Sequence, residues 1–140
     1  GWVASNTEVA DILRDYRDYT MICAGVFDDM VATLVLENKE AILERNRQIV
    51  EENLALMDEW IAKEPKASWI RPASVSTSFV KLDVNRPIED FALELLQDYG
   101  VLVVPGNRFD KESHVRIGYC CDKEVLQKGL EKLSQFLNKC

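Results

Sequence analysis

Histidine occurs once in these 140 residues, at His114, and cysteine four times. That scarcity excludes several chemistries at once. Cys23, Cys120, Cys121 and Cys140 form no Cys-x-x-Cys pair, and one histidine cannot complete a zinc ligand set at familiar spacing, so reduced thiols are expected. Positive charge is also short: 17 Lys plus Arg stand against 24 Asp plus Glu, a net charge of −7. The overall field therefore draws neither a phosphate backbone nor an anionic membrane, and small molecules or proteins are the expected partners. No apolar run approaches the length of a membrane span. Gly1-Trp2-Val3-Ala4-Ser5 has no basic flank and runs into a polar stretch, unlike a signal peptide. A soluble, cytoplasmic protein is the expectation. Internal repeats and low-complexity tracts are missing as well.

What is present is apolar residues at regular spacing. At 47% hydrophobic composition, a chain of this length buries about 68 to 70% of its unfolded surface if it folds as one unit. Ser5 followed three residues later by Glu8 resembles a capping box, and Val9, Ile12, Leu13 and Tyr16 share one helical face, which predicts a helix over 7–18. Met21 to Phe27 predicts a bend around Gly25, then a second, mostly buried helix carrying Met30, Val31, Leu34 and Val35. Asp28 and Asp29 are adjacent and do not face one site on a helix, so they read as helix-capping residues. A long amphipathic helix is predicted over 39–64, with Ile42, Ile49, Val50, Leu54, Met57, Trp60 and Ile61 at steps of three and four, ending before Pro65. At about 1.5 Å of rise per residue it spans roughly 40 Å, longer than one small lobe needs, as a helix joining two domains would.

The character changes after Pro65. Residues 76–84 and 101–104 are rich in β-branched and apolar residues, as strands are. Between them Pro87 suits a first helical turn, Ile88, Phe91, Ala92, Leu95, Leu96 and Tyr99 make an apolar stripe, and Gly100 fits a left-handed C-cap. Asp122 predicts the start of a last helix with Val125, Leu126, Leu130, Leu133, Phe136 and Leu137 inward. Trp2, Trp60 and Trp69 read as core residues. The sum is an α+β chain whose short, mainly antiparallel sheet is packed by helices.

The most informative segment is Val103-Val104-Pro105-Gly106-Asn107-Arg108-Phe109, followed by His114 to Cys121. It reads as a strand, a Pro-Gly turn able to hold unusual backbone angles, and a second strand. Alternation puts His114, Arg116, Gly118 and Cys120 on one side and Val115, Ile117, Tyr119 and Cys121 on the other. Arg116 then points away from the apolar face. A guanidinium is a rigid fork of donors matched to a carboxylate, and Gly118 leaves room beside it. From spacing alone, an arginine on the polar face of an outer strand reads as a solvated surface residue. His114 is tied to no acid or nucleophile and reads as a surface residue. Cys120 and Cys121, on opposite strand faces, read as ordinary thiols rather than paired ligands.

Taken together these segments resemble the C-terminal part of class I/II aminotransferases, the fold-type I pyridoxal-phosphate enzymes. Gly1-Trp2-Val3-Ala4-Ser5 resembles the strand just beyond the family's lysine segment. Residues 1–38 resemble the end of the large cofactor domain, 39–64 the interdomain helix, and 65–140 the small C-terminal domain. Val103-Val104-Pro105-Gly106 with Phe109 and Val115-Arg116-Ile117 matches the family's closing pattern, in which the arginine binds the substrate α-carboxylate. The resemblance thus assigns Arg116 to the substrate and implies pyridoxal 5'-phosphate in a larger parent, amino-acid and 2-oxo-acid substrates, and a homodimer. In relatives the loop around Tyr19 to Phe27 lies near the partner's cofactor phosphate; Thr20, Cys23 and Gly25 depart from the usual pattern, so no cofactor contact is carried over. None of the nine lysines follows a serine or threonine, and no Asp-x-x-Tyr segment is present. The residues that hold and activate the cofactor in the family are thus expected upstream, and the chain alone is expected to be inactive. A lyase or amino-acid synthase of the same fold, or an amino-acid-sensing module, remains the alternative.

Overall fold

A computed structural model of the chain describes residues 3–140. Gly1 and Trp2, and with them the expected core role of Trp2 and the opening of the Gly-Trp segment, lie outside the described residues. Contacts divide the chain into two units, one ending at Ile42 and one running from Leu43 to Cys140.

The first unit is helical. Helix α1 spans Thr7–Thr20 and α2 spans Val26–Glu37, and neither buries a residue. The cap of α1 falls one residue later than the Ser5/Glu8 spacing predicts: Asn6 Oδ1 accepts the Val9 N–H at 3.0 Å. Asparagine caps at least as well as serine, and here it meets the third N–H of the first turn. The expected burial of α2 is not found. Its apolar residues lie on every side, and two short helices offer too little surface to enclose them. Asp28 and Asp29 sit in its first turn, where negative charge suits the helix dipole, but the cap position is Gly25 with no side-chain hydrogen bond. Between the helices Ile22 holds φ at +60°, an uncommon angle for a β-branched residue.

Helix α3 runs from Lys39 to Lys63, and its buried residues, Asn53, Leu54, Met57 and Trp60, all lie in its second half. That half belongs to the second unit with a four-stranded sheet. Strands β1 (Ala67–Trp69), β2 (Thr77–Leu82), β3 (Val104–Pro105) and β4 (His114–Gly118) lie in the order β1-β2-β4-β3, every neighbouring pair antiparallel. The small antiparallel sheet packed by helices agrees with the sequence reading. Strand β1 was not foreseen; its three residues carry too little pattern to stand out before β2 is there to pair with. The strand expected over 101–104 overlaps the observed β3 only at Val104, and β4 stops at Gly118 rather than continuing through the cysteines.

One face of the sheet carries Val80, Leu82, Val115 and Ile117 into a core with Met57, Phe91, Leu95, Leu133 and Leu137. Helices α4 (Ile88–Tyr99) and α5 (Lys123–Leu137) supply the last four of these. Gly100 ends α4 at φ +66°, as its position predicts, whereas Pro87 stands at the cap rather than inside the first turn. Asp122 caps α5 by accepting the Glu124 N–H at 2.9 Å. Val125 is 60% exposed rather than inward, because the buried stripe of α5 runs through Leu126, Leu130, Leu133 and Leu137. Trp60 is buried and donates from Nε1 to Ser134 Oγ at 2.8 Å, and Ser134 in turn donates to Glu64 Oε2 at 2.7 Å. Trp69 packs half-buried against the core.

Candidate functional site

The sheet's other face carries Phe79, Lys81, His114 and Arg116. Register places Phe79 directly beside Arg116 on β2 and Val104 beside it on β3. Arg116 therefore lies on an inner strand, not the outer one that spacing alone describes, since β3 pairs beyond it. Its side chain is exposed on this face, as alternation predicts.

The turn after β3 builds the wall next to it. Gly106–Phe109 form a 3-10 turn, and a Cβ on Gly106 would collide with the carbonyl oxygens of Lys111 and His114. Glycine is needed there for close backbone approach and not for the unusual angles first expected: among the described residues the only glycine at positive φ is Gly100. Glu89, in the first turn of α4, accepts from Asn107 Nδ2 at 2.7 Å and from the Arg108 guanidinium. Held in this way, the turn sets Phe109 under the Arg116 guanidinium, 5.4 Å from Cζ to ring centroid. Phe109 meets Phe79 edge-on at 5.7 Å, and Phe79 stacks on His114 at 4.9 Å. A shallow cavity of about 270 Å³ opens here, lined by Thr77, Ser78, Phe79, Phe109 and Arg116.

Among the described residues no carboxylate reaches the Arg116 guanidinium, and no hydrogen bond occupies it. Three other arginines of the same unit are paired: Arg71 with Asp58 at 2.9 Å, Arg86 with Glu94 at 2.7 Å, and Arg108 with Glu89. A cation resting on an aromatic ring, with its donors open to a cavity, is arranged to receive an anion. His114 is half-buried rather than a plain surface residue. Burial, then the nearby charges of Lys111 and Lys81, push its pKa below the ordinary value, so it packs as a neutral ring. Phe79 and Glu89 escape sequence reasoning; only cross-strand register and a contact 18 residues apart reveal them.

This is an α+β unit that offers a free cation on the open face of its sheet. The sequence profile of the family described as aminotransferase class I and II matches residues 1–133, and the chain belongs to that family. Among curated relatives, capreomycidine synthase of Streptomyces vinaceus is 28% identical over 138 residues, and a probable N-acetyl-LL-diaminopimelate aminotransferase of Bacillus subtilis is 26% identical over 148. The matches cover 98% and 99% of this chain but 36% of each relative. A solved pyridoxal-phosphate-dependent aminotransferase from Streptococcus suis superposes with a TM-score of 0.94 at 66% identity, covering 99% of this chain and 37% of that one. The chain thus spans a little over a third of the length of the relatives it matches.

The residues present do not by themselves fit that cofactor. Lysines that line cavities are held in other contacts: Lys132 Nζ donates to the Tyr99 carbonyl at 2.8 Å, Lys128 lies 3.6 Å from Glu124, Lys123 lies 4.0 Å from Glu52, and Lys139 rests over the Tyr99 ring. Among the described residues none stands free in a cavity to bind an aldehyde.

Proposed function

We propose that this chain is the C-terminal part of a pyridoxal-phosphate-dependent aminotransferase that moves an amino group from an amino acid to a 2-oxo acid, with Arg116 as the clamp for the substrate α-carboxylate. The observation that carries the proposal is the open guanidinium of Arg116 above Phe109 in a chain of this family. The cofactor, held by residues elsewhere in the parent, would serve as the electron sink. The contribution of the present residues is orientation. Two parallel N–H donors on a planar carboxylate fix the rotation of the amino acid about its Cα, and with it which Cα bond faces the reacting group. Phe109 limits the rotamers of the clamp, and the Glu89 tether holds Phe109 in place. Helix α3 would be the interdomain helix, residues 65–140 the small domain, and residues 1–38 the end of the cofactor domain. The parent would be a cytoplasmic homodimer, and the present chain alone would be inactive for want of a lysine to carry the cofactor.

Substituting Arg116→Ala in the full-length protein tests the clamp. Losing one partner of a hydrogen-bonded charge pair costs about 2 to 5 kcal/mol, so kcat/KM for the amino acid should fall by roughly 30-fold or more, largely through KM. An unchanged KM would overturn the assignment. Similarity to a synthase supports a second reading, in which the same arginine serves a lyase or amino-acid synthase. Product analysis separates the two: transamination must leave a 2-oxo acid, whereas a lyase releases its leaving group. An amino-acid-sensing module would instead bind a free amino acid tightly without cofactor, which calorimetry on this chain would detect.

A further inference from the structure

The two adjacent cysteines change meaning once β4 is seen to stop at Gly118. In a continuing strand Cys120 and Cys121 would point to opposite faces. In the structure both are exposed, free, and line one cavity of about 360 Å³ together with Arg45, Glu52, Asn53 and Lys123. Asn53 is buried and donates from Nδ2 to the carbonyls of Tyr119 at 2.6 Å and Cys121 at 2.9 Å. The backbone bearing the two thiols is therefore held by Asn53, and both cysteines border this opening, Cys121 also lining the neighbouring cavity beside Gly118 and Val125. Lys123 and Glu52, 4.0 Å apart, border that opening.

We propose that Cys120 and Cys121 form a vicinal dithiol site that takes a monosubstituted trivalent arsenical, closing a ring through both sulfurs. The reaction is a condensation: two S–H bonds and the As=O bond break, two As–S bonds form, and the oxygen leaves with both thiol protons as water. No oxidant or reductant is required. Partial desolvation and the neighbouring Cys121 raise the Cys120 pKa, so the group rests as a thiol; its thiolate fraction is the attacking species, and its proton leaves in the water formed. Once the first As–S bond forms, the second is intramolecular, so the chelate is tighter than a single thiol could give by the effective-concentration advantage.

The test uses the reduced full-length protein and phenylarsine oxide. Trypsin cutting after Arg116 and Lys123 releases Ile117–Lys123, a peptide with both cysteines and no others. One equivalent of arsenical should protect both residues from N-ethylmaleimide, 2,3-dimercaptopropanol should restore their labelling, and excess 2-mercaptoethanol should not. Cys120→Ser and Cys121→Ser should each raise the half-saturating arsenical concentration about 100-fold or more, with Cys23→Ser leaving it unchanged. Labelling of either cysteine at stoichiometric arsenical, or release by the monothiol, would overturn the proposal; both readouts on the unmutated protein stand even if a variant fails to fold.

Discussion

The first unit of this chain is at least as rich in apolar residues as the second, and their burial is opposite. In residues 43–140 the apolar side chains find one another: Phe91, Met57, Val80, Val115 and Tyr119 are fully buried, and a sheet face with three helices closes around them. In residues 3–42, Tyr16, Tyr19, Met21, Phe27, Met30 and Val31 are all more than half exposed. The difference teaches that amphipathic periodicity folds a segment only where a second layer is present to receive the stripe. A helix that is apolar on all sides, such as α2, is made to be enclosed, and a surface of this kind marks residues that act as part of something larger.

The sharpest way to break this comparison is to separate the units. Residues 43–140 produced alone should show a cooperative thermal transition followed by circular dichroism, while residues 1–42 should show none; a cooperative transition in the short piece would refute the contrast. Single substitutions scale it down. In the 140-residue chain Phe91→Ala should lower unfolding stability by about 3 to 5 kcal/mol, because Phe91 is 0% exposed. Met30→Ala, at 58% exposure, should stay within about 0.5 kcal/mol, as read from paired denaturant titrations.

The smallest effect concerns protons. His114 has a lowered pKa in the folded chain, so its neutral form is favoured by folding. Its contribution is complete above the unfolded value near 6.5 and is lost as pH falls from there to the lower folded value, since the unfolded chain takes the proton first. Chemical denaturation at a series of pH values should show stability declining through that window, and His114→Gln should flatten the decline. An unaltered slope in the variant would assign it to other groups.

How much of this was legible beforehand follows the range of each signal. Helices α4 and α5 were readable because their signs are local: Gly100 at the C-cap of α4, Asp122 at the N-cap of α5, and an apolar stripe along each helix. The face of Arg116 was readable from alternation, while its candidacy came from the resemblance to the family's closing pattern. What surrounds it was not readable. Phe79 meets Arg116 through register between strands far apart in sequence, Glu89 grips a turn 18 residues away, and Tyr119, just past the end of β4, is bonded to Ser76 and to Asn53 of α3. The same long-range contacts brought Cys120 and Cys121 to one opening against the strand-based expectation. Strand β1 needed its partner to exist at all.

The central claim is that Arg116 holds a carboxylate. The most direct measurement compares wild-type and Arg116→Ala full-length protein on an amino acid and on the matching amine that lacks the carboxylate, as a double-substitution cycle in kcat/KM. The account predicts a loss of roughly 30-fold or more on the amino acid and almost none on the amine. Equal losses on both would mean that the guanidinium acts on something other than the carboxylate, and the proposed clamp would be wrong.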